Sequence, residues 1–403
     1  MAAGADGETL GQLLVIEAEA CEWKGDAAGA EAASRRAAEV LPAGDKRWFA
    51  AQANLALAGS RAGWTDCNTA RVLAILEAAP SDDDARARKV AALCRGALNA
   101  MWTGNYDIAL RQGLAAEAEE SQLGGRWPLA RARLKHSEAY WYLHRGETGT
   151  AVGLFQQAEE AWAAAGDERS LTGVRTNLGF VYGQLGRFAD AEAQLVAQMA
   201  RAEALGLTPL GHVCRHNLAS VLAQRGDVEA AIAMKEPAVA WLARAGNPRL
   251  DGNVIASLAQ VLVSVGRYEE AHAKAEAAAA MLGPFAPTQA FALAVDATAL
   301  LALGEPAKAL ARARQGAAIL ERLGGIEEGE ALLRLALVDA LLGTGADAEA
   351  RATLSGAHTR LLARAATIDD PGFRDLFLKA VPENAATRAR AASLGIVADP
   401  INR

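Results

Sequence analysis

Glycine recurs at Gly25, Gly63, Gly104, Gly146, Gly186, Gly226, Gly266, Gly304 and Gly345, at intervals of 38 to 42 residues. Each stands in the same small frame. Seven residues earlier lies Ala18, Ala56, Ala97, Ala139, Gly179, Ala219, Ala259 or Ala297, and only Val338 departs. Five residues later lies Ala30, Ala109, Ala151, Ala191, Ala231, Ala271, Ala309 or Ala350, with Asn68 the exception. A period near 40 with small residues at two fixed offsets describes a helix-turn-helix unit stacked nine times. Such a stack buries its core between neighbours, so 403 residues need no break into separate globular domains.

The unit from Ser170 to Leu207 shows the pattern most clearly. Leu171, Val174, Leu178, Val181, Tyr182 and Leu185 recur at three- and four-residue steps and give a first helix with one apolar face. Gly186 ends it. Phe188, Ala191, Leu195, Val196 and Met199 then form a second amphipathic helix that closes near Gly206, a residue suited to a left-handed cap. The small residues explain the pairing. Two backbones approach closely only where no bulky side chain intervenes, so Ala219 and Ala231 are expected to meet across one such crossing.

The sequence Gly179, Tyr182, Gly186 and Ala191, repeated along the chain, resembles the tetratricopeptide repeat in its longer form of about 40 residues. The resemblance extends to the repeat regions of kinesin light chains and of bacterial multidomain signalling regulators. It implies an all-α fold, an α-α superhelix of nine helix-turn-helix repeats over residues 9–365, with a C-terminal helical cap and tail over 366–403. In that tail Asp370 is suited to cap a helix opened by Pro371, and Val381-Pro382 interrupts before a second helix over Ala385 to Leu394. The pair is expected to cover the open end of the stack. The string PGFRDLFLKAVPENAATRA is also similar to the tail that ends some bacterial kinase-repeat regulators.

Charge and composition exclude several classes. A net charge of -7 argues against a general nucleic-acid surface. The 18-residue apolar stretch Ala286 to Leu303 contains Asp296 and reads as a buried repeat helix, so no membrane span is expected. The first residues, MAAGADGETL, lack the pattern of a secretory signal, and Cys21, Cys67, Cys94 and Cys214 read as reduced packing residues. These features together point to a cytoplasmic protein.

The resemblance places the first helix of each unit along a concave groove, which directs attention to its inward positions. Nine residues before the turn glycine stand Asn54, Arg95, Ser137, Asn177, Asn217 and Ser257, flanked by apolar residues in the outermost units. An Asn there donates and accepts at once, as the backbone of an extended peptide requires. Neighbouring offsets add Trp102, Arg133, His136, Tyr140, His144, Gln184, His216, Gln224, Asn253 and Gln260. With Arg95, Asn177 and Asn217 these form the candidate site for a peptide or partner protein. Packing between repeats is the competing explanation for Trp102 and Tyr140.

No cofactor site is expected. His212 and His216 stand four apart around Cys214, yet no third ligand is evident and a catalytic zinc needs three. Asp82-Asp83-Asp84 reads as helix capping, and no set of nucleophile, base and oxyanion donors converges as an enzyme requires. The expectation is a non-enzymatic interaction scaffold. The alternative is a ligand-sensing regulatory repeat region that works with an ATPase, kinase or transcription regulator, with a closed pocket lined by Trp102, Tyr140 and His136.

Overall fold

In the computed structural model, which describes residues 6–24, 26–62, 68–242 and 246–396, helices follow one another in the predicted pairs. The first four pairs are α1 (Gly7–Lys24) with α2 (Ala27–Val40), α3 (Lys46–Ala62) with α4 (Asn68–Glu77), α5 (Asp83–Trp102) with α6 (Tyr106–Leu123), and α7 (Pro128–His144) with α8 (Thr148–Ala164). Next come α9 (Glu168–Gln184) with α10 (Phe188–Ala204), α11 (Thr208–Arg225) with α12 (Val228–Leu242), and α13 (Pro248–Ser264) with α14 (Tyr268–Met281). The last two are α15 (Ala286–Ala302) with α16 (Pro306–Leu323), and α17 (Glu330–Gly343) with α18 (Asp347–Ala366). Two further helices, α19 (Pro371–Lys379) and α20 (Pro382–Ser393), complete the order.

The register acts as predicted. Gly186 turns the chain at φ 74°, in the left-handed region that a side chain disfavours, and Gly104, Gly146, Gly226, Gly266, Gly304 and Gly345 share that conformation. Gly25, Gly63 and Cys67 lie outside the described residues. The small position seven residues earlier is set by contact. A Cβ added at Gly179 would meet Leu195 Cγ at 2.7 Å, so the crossing leaves no room for one. Ala219 and Ala231 are fully buried in one cluster with Leu195, Leu218 and Val221. The acidic run caps α5 as read, with Asp82 Oδ1 accepting from Ala85 N at 2.7 Å.

The chain divides into two compact units. The first comprises residues 1–141 and 154–171, and its core runs from Leu14 and Phe49 through Val90 and Leu93 to Leu134. The second comprises residues 142–153 and 172–403, with cores that include Leu195, Val221, Leu262, Phe291 and Val295. Asp296, the charge inside the apolar α15, is fully buried there between His272 Nδ1 at 2.6 Å and Arg312 Nε at 2.9 Å. Burial pushes its carboxyl up, and His272 and Arg312 draw it back toward the ionised form.

Within the second unit, distant segments meet. Arg360 Nη2 donates to the carbonyl of Arg145 at 2.7 Å and Arg364 Nε to that of Gly146 at 3.1 Å, which ties the end of α18 to the turn after α7. Glu330 organises these cations from a site only 2% exposed, accepting from Arg334 and Arg360 at 3.0 Å. Burial alone would raise the Glu330 carboxyl, but Arg364, Arg360 and Arg334 overcome that and hold it below its ordinary range.

The tail does more than cover the last pair. Asp370 caps α19, its Oδ1 accepting from Phe373 N at 2.9 Å, and α20 opens at Pro382. Both helices touch α18, and Phe377 packs with Leu185, Leu361, Ala365 and Ile368. The Leu376 carbonyl stands where a Cβ on Gly186 would meet it at 2.9 Å, and the Arg187 guanidinium lies 3.8 Å over the Phe373 ring. Farther along, Gln260 Nε2 donates to Glu383 Oε1 at 2.9 Å, and Arg390 pairs with Asp339. The tail thus reaches from the last repeat to the first helices of the fifth and seventh.

Candidate functional site

On the first unit the row nine residues before each turn glycine opens on a cavity of about 240 Å³. Its walls include Asn54 of α3, Arg88 and Arg95 of α5, and Arg133 of α7, with Glu19 and Glu22 of α1 and Asp167 before α9. Arg95 Nη1 donates to Asn54 Oδ1 at 2.8 Å. The Arg133 guanidinium lies 4.5 Å over the ring of the fully buried Trp162. Burial lowers its pKa to about 9, with Arg95 adding like-charge repulsion and Asp167 opposing it.

The aromatic candidates form a neighbouring cluster. The rings of His136 and Tyr140 stack at 5.5 Å, Trp102 meets Tyr140 edge-on at 6.2 Å, and Phe155 of α8 meets Tyr140 at 5.4 Å. This is packing between the third and fourth repeats. Burial, with Arg133 beside it, pulls the pKa of His136 down to about 3, so the ring is neutral at ordinary pH. His144 lies one turn beyond Tyr140 at the end of α7. It is 1% exposed in the second unit, where its Nε2 faces Glu327 Oε2 at 3.3 Å.

On the second unit the candidates share their face with the tail. Gln184, Gln224 and Gln260 line a small cavity of about 40 Å³ with Glu328, Phe377, Val381, Glu383 and Asn384. A larger one, of about 200 Å³, lies among Ser220, Ser257, Gln260, Thr298, Pro382 and Glu383. Asn177 is half-buried, whereas His216 and Asn217 are 7% and 8% exposed. Asn253 favours the ionised form of the Glu328 carboxyl, which burial opposes. The chain's own C-terminal helices therefore lie against several residues proposed for a partner.

One group was missed in the sequence. Lys235 is fully buried, with Nζ 2.7 Å from Ser257 Oγ, 2.9 Å from Ser220 Oγ and 3.2 Å from His216 Nδ1. Burial lowers its pKa to about 7, and Glu328 partly opposes this. Burial raises Glu328 to about 7, with Glu327 adding repulsion and Lys235 opposing. A signal was present, because nine residues after the turn glycine the chain carries Phe155, Leu195, Ala275, Ala313 and Leu354 in other units and Lys235 here.

The His212-Cys214-His216 spacing is spent on separate contacts. His212 stacks on Trp241 at 4.5 Å, Cys214 Sγ lies 3.2 Å from Thr176 Oγ1, and His216 faces Lys235. Among the described residues no three His, Cys, Asp or Glu side chains gather as a metal requires, and no helix is long and apolar enough to cross a membrane. Cys94 is buried, which pushes its thiol up to about 12.

No family model and no curated protein matches the chain. Solved structures do. A Rap protein complexed with Competence and Sporulation Factor is similar at a TM-score of 0.59 and 13% identity, over 95% of this chain and 99% of that one. A signal transduction ATPase with numerous domains and a tetratricopeptide repeat sensor, from Pyrococcus horikoshii, is similar at 0.49 and 13% identity, over 97% of this chain and 65% of that one. Aspartyl phosphate phosphatase F from Bacillus subtilis is similar at 0.47 and 13% identity, over 100% and 99%. The fold is an all-α tetratricopeptide-like solenoid, as the repeat register predicts.

Proposed function

We propose that this tetratricopeptide-like solenoid is a non-enzymatic scaffold that binds a peptide or partner protein, and that the binding face is the polar row on the first unit. The observation that carries this reading is the contrast between the two units. Asn54, Arg95 and Arg133 border a charged cavity walled by residues of the repeats, whereas the cavity beside Gln260 is walled in part by Pro382 and Glu383 of α20. A preformed polar surface of this kind gains affinity by avoiding the cost of ordering itself on binding. The similar Rap protein, which is complexed with Competence and Sporulation Factor, supports a partner-binding role for the fold.

Affinity capture from the source cell tests this. Wild type retains a partner, the doubly substituted Arg95→Ala/Arg133→Ala protein loses it, and Asn217→Ala keeps it, all three melting alike. Identical captures by wild type and the double variant would remove the first unit from the binding face.

A further inference from the structure

Lys235 holds a buried amine against two serine hydroxyls, and both serines line a cavity. Its Nζ, fully enclosed on α12, donates to Ser257 Oγ of α13 at 2.7 Å and to Ser220 Oγ of α11 at 2.9 Å. The two serine oxygens stand 3.2 Å apart, and His216 Nδ1 lies 3.2 Å from the amine. Ser220 and Ser257 belong to the walls of the cavity of about 200 Å³ on the second unit. Lys235 stays behind them.

A serine hydroxyl is a weak nucleophile until a base within hydrogen-bond reach takes its proton. An ammonium only donates to the serines. The neutral amine carries a lone pair, which accepts the Ser257 proton across the same 2.7 Å. Burial favours that neutral amine. Of the titratable groups beside it, His216 is held uncharged by its own burial, and Glu328 opposes loss of the proton only in part.

The cavity limits what the nucleophile meets. Ala223, Val261, Val295, Leu332 and Pro382 give it apolar walls. Most of its other polar groups are spent, because Ser264 and Thr298 donate to carbonyls of their own helices and Gln260 donates to Glu383. Gln224 differs. Its buried Oε1 has no hydrogen-bond partner among the described residues, and a carboxamide can turn its N–H end toward an entering carbonyl. Apolar walls and a volume below the usual range for drug-sized ligands suit a short acyl chain.

We infer that Ser257, with Lys235 as its base, is a nucleophile that takes a short acyl group from an activated ester entering this cavity. Ser257 Oγ bonds the ester carbonyl carbon and passes its proton to Lys235 Nζ. The ester C–O bond then breaks, and the departing oxygen leaves with that proton. The products are an acylated Ser257 and an alcohol. The acyl chain fills the space from which water would attack, so the outcome is one modification per chain and no catalytic cycle. This goes beyond the partner-binding reading and does not rest on it, since that face is proposed on the first unit.

The full chain mixed with p-nitrophenyl hexanoate tests it. Nitrophenolate appears in a burst of one equivalent, the intact mass rises by one hexanoyl group, and fragmentation places that group on Ser257. Neutral hydroxylamine removes it, as it removes an ester and not an amide. Ser257→Ala shows neither burst nor adduct. Lys235→Met slows the acylation about a hundredfold, the scale of a lost general base. In wild type the rate climbs as pH rises through about 7, where the amine loses its proton, and in Lys235→Met that rise is absent. Ser257→Ala removes a single oxygen and carries the test if Lys235→Met does not fold.

No adduct, an adduct on any other residue, a wild-type rate in Lys235→Met, or steady release after the first equivalent would each overturn the assignment. Partner capture through Arg95 and Arg133 reads a separate face, so its failure and the failure of acylation are told apart.

Discussion

Ala231 and Lys235 lie one turn apart on α12, both fully buried, and opposite physics governs them. Ala231 allows two helices to approach. Leucine there overpacks the crossing, and Ala231→Leu lowers unfolding stability by about 1–3 kcal/mol, read from the urea midpoint. Lys235 instead brings an amine into a position that other repeats fill with Phe155, Leu195 or Ala275. Its pKa falls from 10.5 in the unfolded chain to about 7 on folding, so between those values the unfolded chain binds more protons. The stability associated with this group is full above 10.5 and is lost as pH falls toward 7. Relative to Lys235→Met, the wild type gains at least about 1 kcal/mol between pH 7 and 10 in paired denaturation curves. The odd residue at this register position is visible in the sequence. The cage of His216, Ser220 and Ser257 is not, because it is assembled around Lys235 from two other helices, α11 and α13, whose rotation relative to α12 the register leaves open.

At the scale of elements, the repeats were legible and the tail was legible only in part. Turn glycines and small crossing residues act within one unit, so a local pattern suffices to find them. Asp370 and Pro371 likewise reveal where α19 begins. The destination of the tail depends on contacts such as Gln260 with Glu383, which are 123 residues apart and leave no periodic trace. Phe377 joins α19 to Leu185 of the fifth repeat and to Leu361 of α18, at 1% exposure. Phe377→Ala costs about 3–5 kcal/mol by chemical denaturation, the range of a large-to-small change at a core site. A smaller loss, near that of a surface substitution, would mean that α19 rests on the repeats only loosely.

For the whole molecule, the polar row that reads as one series in the sequence has two fates. On the first unit, Asn54 and Arg95 pair beside a cavity. On the second, Ser257 Oγ accepts from Lys235 Nζ at 2.7 Å. The candidate site was thus legible as a register position but not as a set of residues, since a first helix reveals its inward side chains and not what lies over them. Partner capture is accordingly sensitive to Arg95 and Arg133 and insensitive to Asn217.

The contacts that Arg360 and Arg364 make with the turn after α7 span 215 and 218 residues. A ribosome delivers that turn first and its arginines last. At roughly 5–20 residues per second the Arg145 and Gly146 carbonyls wait on the order of ten to forty seconds for their donors. During that interval the helices that will cover Leu185 have still to be translated. Completion of the second unit therefore waits for the synthesis of α18, and a chain that stops short of Arg360 lacks the residues that fasten it.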